Sequence, residues 1–120
     1  MVAALAAFAA CATEDQRYQE NRTRAHLTPR AKAALSPTDV DQIARLVAHV
    51  SRKRVLAIAR ATKQAHPDAY HVTIGLPWSP HRWDYGFLVL AREKGSWRII
   101  DRADDLSVSL VGLGFHDQAD

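Results

Sequence analysis

Ser79, His81 and Asp84 are the residue types of a nucleophilic site, and all three lie within six consecutive positions. A serine nucleophile needs a base beside it and a third group that orients the base. Such triads are normally assembled from distant segments, so three letters in one loop are weak support for catalysis. Tyr85 and Asp101 are the candidates for an isomerase-type cavity, but inward side chains are most often core. We therefore predict no enzymatic activity and no cofactor.

The six histidines are the candidate metal ligands. Their positions lack a short paired spacing such as His-x-x-x-His, which zinc sites commonly use. One set, His71 and His81 with Asp84, could converge at one end of a sheet. We predict solvated or hydrogen-bonded histidines and no metal site. The histidines are His26, His49, His66, His71, His81 and His116.

The segment Pro77–Arg82 is predicted to be a loop, because prolines fix φ and remove amide donors. Tryptophan and arginine are favoured as interface anchors, and a proline-bracketed loop loses little freedom on binding. The candidate binding residues are therefore Trp78, His81, Arg82 and Trp83. The alternative is that Trp78 folds back over the end of the sheet as part of the core.

Cys11 is the single cysteine and follows ten apolar residues, Met1–Ala10. Ten residues are too few to span a bilayer, which needs about 20. They match the apolar region of a signal peptide with small residues at its cleavage site. The sequence Phe8–Cys11 resembles the lipobox of bacterial lipoproteins, although it has Phe8 where leucine is usual.

This resemblance implies cleavage before Cys11 and its lipidation, so that the membrane becomes a partner through the lipid anchor. Several acyl chains would anchor the protein firmly in the membrane, since each buried CH₂ adds about 0.8 kcal/mol to the free energy of membrane binding. Ala12 replaces the aspartate of inner-membrane retention signals, which favours the periplasmic face of the outer membrane. No basic residue precedes the apolar run, so a basic segment upstream of Met1 is expected. The alternative is a cytoplasmic protein in which Cys11 is a small buried residue.

The composition indicates one ordinary globular domain. The chain has 120 residues, 48% of them apolar and 24% charged. Lys and Arg exceed Asp and Glu by 16 to 13, and the arginines are spread without a dense cluster. Nucleic-acid binding proteins usually present a concentrated basic face. We therefore predict no nucleic-acid partner.

The polar stretch Thr13–Leu27 is nearly free of aliphatic residues and is interpreted as a tether. The predicted organisation is a signal-like segment over residues 1–10 and a lipidated cysteine with its tether over 11–27. One α+β domain follows over 28–116, with a tail over 117–120.

The best-supported helix is Pro37–Val50. Ser36 is a typical N-cap, Pro37 presets φ, and Asp39 is placed to complete a capping box. Apolar residues then recur with helical spacing at Val40, Ile43, Ala44, Val47 and Val50. A shorter helix is predicted from Thr28-Pro29 to Leu35.

The rest of the domain is predicted to be strands and turns. The segment Trp83–Arg102 is interpreted as a hairpin with a turn over Glu93–Ser96, and the residues on one face of its first strand are Trp83, Tyr85, Phe87, Val89 and Ala91. The strand predictions are Arg54–Ala61, Tyr70–Leu76 with one polar face, Trp83–Arg92, Trp97–Arg102 and Leu106–Leu110, with a turn over Ala65–Asp68.

This order predicts an α+β fold in which one main amphipathic helix packs on a curved antiparallel sheet of four to five strands. The helix and strand pattern resembles the cystatin-like and nuclear-transport-factor-2-like folds of small bacterial envelope lipoproteins. The cystatin-like version is closer, because one long helix is visible. Cystatin protease inhibitors use a Gln-x-Val-x-Gly loop, and His71–Gly75 lacks it, so that activity is not implied.

The function expected from these features is that of a cell-envelope lipoprotein that acts by binding an envelope protein partner or by structural support. The alternative is a small-ligand-binding or inhibitor module, including an immunity-type protein. A third class is a cytosolic binding domain, if Cys11 is not processed.

Overall fold

The protein is represented by a computed structural model that describes residues 12–63, 66–76 and 85–103. In these residues a five-stranded open sheet has the order β1-β2-β3-β4-β5. Strand β1 is parallel to β2, and the other neighbours are antiparallel. The elements are α1 Glu14–Arg24, β1 His26–Leu27, α2 Pro29–Ala34, α3 Pro37–Val50, β2 Arg54–Lys63, β3 His66–Gly75, β4 Tyr85–Glu93 and β5 Ser96–Ala103.

The predicted α+β class, with one main helix on a sheet, is confirmed. Helix α3 has the predicted bounds, and its capping box is formed in both directions. The Asp39 amide donates to Ser36 Oγ (3.1 Å), and the Ser36 amide donates to Asp39 Oδ2 (2.8 Å). Ile43 and Val47 of α3 are fully buried. The short helix α2 is also where the sequence predicted it.

The main core lies between the helices and one face of the sheet. Every second side chain of the central strands points to this face, because successive side chains of a strand point to opposite faces of the sheet. Its buried members are Ala31, Leu35, Ile43, Val47, Val55, Ile58, Tyr70, Val72, Ile74, Leu88 and Leu90. We call this side the helix face and the opposite side the outer face.

The predicted hairpin is confirmed for the residues described. Lys94 and Gly95 both have positive φ, 53° and 78°, as in the two-residue turns that suit twisted hairpins. Leu90 pairs with Ile99 while Val89 pairs with Asp101, so Ile100 is an extra residue that bulges from β5.

The polar residues His71 and Thr73 of β3 share the outer face, as the alternation predicts, and both are buried, at 6% and 5% exposed. Strand β3 is central, and His71 lies opposite Ala59 on one side and Val89 on the other. The His71 ring also stacks on Phe87, with 5.0 Å between ring centroids.

The predicted turn over Ala65–Asp68 is also wrong, since His66, Pro67 and Asp68 belong to β3. His66 pairs with Lys63, and the register shifts before Ala61 pairs with Ala69. Pro67 falls within this irregularity, where a missing amide donor is tolerated. Ala65 and the predicted strand Leu106–Leu110 lie outside the described residues.

The tether interpretation fails for Thr13–Leu27, because most of this stretch is helix α1 and β1. A capping box between Thr13 and Gln16 starts the helix. Tyr18 is 6% exposed and Asn21 is 1% exposed. The helix packs through aromatic and hydrogen-bonding side chains. A search for an aliphatic pattern therefore does not detect it.

Candidate functional site

The residues that the sequence singled out for function lie outside the described residues. They are Cys11, Trp78, His81, Arg82 and Trp83. Their described neighbours can nevertheless be located. Ala12 follows Cys11, while Leu76 and Tyr85 flank the segment of residues 77–84.

Arg17 fixes the start of α1 beside the end of α3. Its guanidinium donates to the Ala12 carbonyl (Nη1, 2.7 Å) and to the Ala48 carbonyl (Nη2, 2.9 Å). Exposed Glu14 and His49 approach to 3.3 Å at the same place. Helix α1 therefore begins where α3 ends.

The segment 77–84 is attached to the fold at this same end. Gly75 pairs with Arg54 of β2 and with Tyr85 of β4. Arg54 lies a few residues after the C-terminus of α3, and Arg102 of β5 donates to the Val50 carbonyl at 2.7 Å. We call this the anchor end. The neighbour of Cys11 and both attachment points of the candidate binding loop are located there.

Asn21 joins α1 to both the sheet and α3. Its amide nitrogen donates to the Ala44 carbonyl (3.1 Å), and its Oδ1 accepts from the Val55 amide (2.8 Å). Tyr18, one turn earlier, donates to Asp41, and the Arg45 guanidinium lies 3.8 Å from its ring centroid. These contacts make α1 an integral part of the domain.

Arg54 is a buried cation at the start of β2. Its side chain is 5% exposed, its Nε donates to Glu20, and its Nη1 donates to the Arg52 carbonyl. Burial of a charge is costly unless it is paired and hydrogen-bonded. Glu20 therefore makes the position of Arg54 possible, and the pair holds α1 against β2.

A second set of charges lies at the opposite end, around Arg92. Arg92 Nη1 is 2.7 Å from Asp39 Oδ2, and its Nε donates to Asp68 Oδ2 at 2.7 Å. Asp68 Oδ1 also accepts from Arg60 (2.8 Å) and from the Tyr70 hydroxyl (2.9 Å). We call these five residues the Arg92 cluster. It ties the N-terminus of α3 to strands β2, β3 and β4.

The Arg92 cluster shifts the acidity of its members. Burial alone raises the pKa of Asp39, but hydrogen bonds from Ser36 and Arg92 outweigh it and lower this pKa. Burial likewise raises the pKa of Asp68, and hydrogen bonds from Arg92, Tyr70 and Arg60 bring it below its usual value. Both carboxylates are therefore ionised partners that stabilise the fold near neutral pH.

Trp97 of β5 covers the Arg92 cluster from the helix face. Its Nε1 donates to Gln42 Oε1 at 2.9 Å, and its ring meets the Tyr70 ring edge-on at 5.6 Å. The Arg92 guanidinium lies 5.3 Å from the Trp97 ring centroid. Because each charge already has a partner, the arrangement is that of a structural cluster.

The catalytic candidates are dispersed or lie outside the described residues. Ser79, His81 and Asp84 are outside. Tyr85 is half-buried at the start of β4, while Asp101 is exposed and accepts from the Arg102 amide. In the described ranges no group of three His, Cys, Asp or Glu side chains is placed to hold a metal ion.

The faces of the sheet also separate the aromatic residues. Phe87 packs with Ala61, Ala69 and Val89 on the outer face, whereas Trp97 packs on the helix face. These side chains therefore do not share a cavity. None of the described helices is long and apolar enough to cross a membrane.

Comparison of the chain with family models, curated proteins and solved structures finds no match.

Proposed function

We propose that this chain is a cell-envelope lipoprotein, anchored through Cys11 at the periplasmic face of the outer membrane, whose cystatin-like α+β domain binds an envelope protein or gives structural support. The observation that carries the proposal is the position of Cys11. It is the only cysteine, and it stands directly after ten apolar residues and the small pair Ala9-Ala10.

The start of α1 adds a geometric consequence. Only Ala12 separates Cys11 from Thr13, the N-cap of α1. Two extended residues span at most about 7 Å, so an acylated Cys11 would hold the anchor end close to the lipid headgroups. The domain would not stand off on a tether, and its orientation at the membrane would be fixed by α1.

This geometry also bears on the candidate binding loop. Both attachment points of residues 77–84 lie at the anchor end, through Gly75 and Tyr85. Trp78 and Arg82 would then meet a partner near the membrane surface. A partner that is itself membrane-associated fits this arrangement best.

Two experiments test the two parts of the proposal. Metabolic labelling with a radioactive fatty acid should mark the wild-type chain and leave Cys11→Ser unlabelled. Crosslinking in intact envelopes should then give one specific adduct, which Trp78→Ala or Arg82→Ala reduces severalfold. The matched control is Arg45→Ala, an exposed arginine of α3 on the Tyr18 ring. Equal labelling of both chains would refute the anchor, and equal crosslinking of all variants would refute the loop.

The alternative from the sequence, a small-ligand-binding or inhibitor/immunity-type module, is distinguished by the identity of the adduct, because an inhibitor would be crosslinked to a toxin-like enzyme and a ligand-binding module would give no specific adduct. The third class, a cytosolic binding domain, is supported if the wild-type chain is not labelled and retains Met1.

A further inference from the structure

A cleft lies between the C-terminal half of α1 and the start of β2. It is lined by Glu20, Arg24, Arg54, Val55 and Leu56, is open to solvent, and has a cavity volume of about 80 Å³. This volume is well below the roughly 300–1,000 Å³ of drug-sized ligand pockets. A ligand of a few heavy atoms is therefore the appropriate size.

The charges around the cleft do not cancel, and one positive charge is left over. Arg54 is buried and paired with Glu20, so these two side chains neutralise each other. Arg24 lies one helical turn after Glu20 and is exposed. Among the described residues its guanidinium has no ion pair or hydrogen bond. One positive charge thus remains at the rim for an anion.

The walls below this rim are mostly apolar. Leu56 is half-buried, and Val55 is 2% exposed. The Val55 amide already donates to Asn21, so this amide is not a donor for a ligand. The cleft therefore offers hydrocarbon contact next to a guanidinium.

We propose that this cleft binds an alkyl carboxylate, with the carboxylate on the Arg24 guanidinium and the hydrocarbon against Leu56. An arginine fork matches a carboxylate in two parallel hydrogen bonds, which a neutral ligand cannot reproduce. The ligand is either a free short-chain acid or the C-terminal carboxylate of a leucine-ending chain, since the two share this chemistry.

The test is an NMR titration of the full ¹⁵N-labelled chain with 3-methylbutanoate at neutral pH. Saturable shifts should be confined to amides near Glu20–Arg24 and Arg54–Leu56. Arg24→Gln should weaken binding about threefold to fivefold, the upper part of the range for one exposed charge pair. The matched control, Arg22→Gln, removes the same charge from the same turn, but Arg22 lies 5.7 Å from the Tyr18 ring centroid and does not line the cleft.

Further probes define the chemistry and the source of the ligand. The neutral 3-methylbutan-1-ol should bind at least about threefold more weakly than the acid. A tripeptide ending in leucine with a free carboxylate binds tighter than the acid if the source is a chain terminus, and more weakly if it is a free acid. Shifts that do not saturate, equal binding of acid and alcohol, or equal effects of Arg22→Gln and Arg24→Gln would overturn the proposal.

Discussion

Replacement of Arg92 by methionine tests the Arg92 cluster at its centre. The change removes two charge-assisted contacts, to Asp39 and to Asp68, each 2.7 Å long. Hydrogen bonds to charged groups contribute about 1.5–3 kcal/mol each. The Arg92 side chain is 28% exposed, so the lower figure applies and the expected loss in free energy of unfolding is about 3 kcal/mol.

A loss of this size is a large part of the total stability. A chain of 120 residues has a free energy of unfolding of about 6–18 kcal/mol. Urea unfolding followed by tryptophan fluorescence measures the change, and the melting temperature should fall by about 12 °C. The control is Arg98→Met, because Arg98 is 66% exposed at 3.5 Å from Glu93 and should change stability by less than about 0.5 kcal/mol.

The effect of Arg92→Met should depend on pH in a defined direction. Asp39 and Asp68 have lowered pKa values in the folded protein, so their stabilisation is complete above the unfolded value of 3.8. It is lost as the pH falls through the lower folded pKa values. The difference in free energy of unfolding between the wild type and Arg92→Met should therefore become smaller below about pH 4. Equal losses for Arg92→Met and Arg98→Met, or a pH-independent difference, would refute this role of the cluster.

Three other perturbations test the role of α1. Glu20→Gln removes the carboxylate that pairs with the buried cation of Arg54 and should lower the free energy of unfolding by about 3 kcal/mol; an unchanged urea midpoint would contradict the role of this pair. Asn21→Ala deprives the Val55 amide of its acceptor, and a loss of about 1–3 kcal/mol is expected in the same assay. Deletion of residues 12–25 should abolish cooperative unfolding measured by calorimetry, whereas a true tether could be removed without effect.

The elements that the sequence predicts well are those with local signals. Helix α3 combines the cap at Ser36, a proline at its first turn and a continuous apolar stripe, so pattern and structure agree. The turn at Lys94-Gly95 is similarly local. The strand predicted over Arg54–Ala61 is confirmed by its pairing with β3.

The errors arise where distant contacts decide the structure. Helix α1 packs through Tyr18 and Asn21, whose partners are 23 and 34 residues away. A hydrophobic pattern does not record such contacts. The local signals of this helix are the capping box of Thr13 and Gln16, the acidic residues of its first turn and the basic residues of its last turn.

The candidate sites show the same limit. Asp39, Asp68 and Arg92 are far apart in the chain, and only the antiparallel register and the position of α3 bring them together. The same holds for Glu20 and Arg54. His71 is 6% exposed between residues of two other strands, and a sequence pattern does not record this burial.

The most direct test of the proposed anchor is the intact mass and membrane fractionation of the protein, expressed from its natural upstream region in a Gram-negative host. The lipoprotein proposal predicts a mature chain that starts at a triacylated Cys11 and is found in the outer membrane, with Cys11→Ala released to the soluble fraction. An unmodified chain that retains Met1 and is found in the cytoplasm would contradict it.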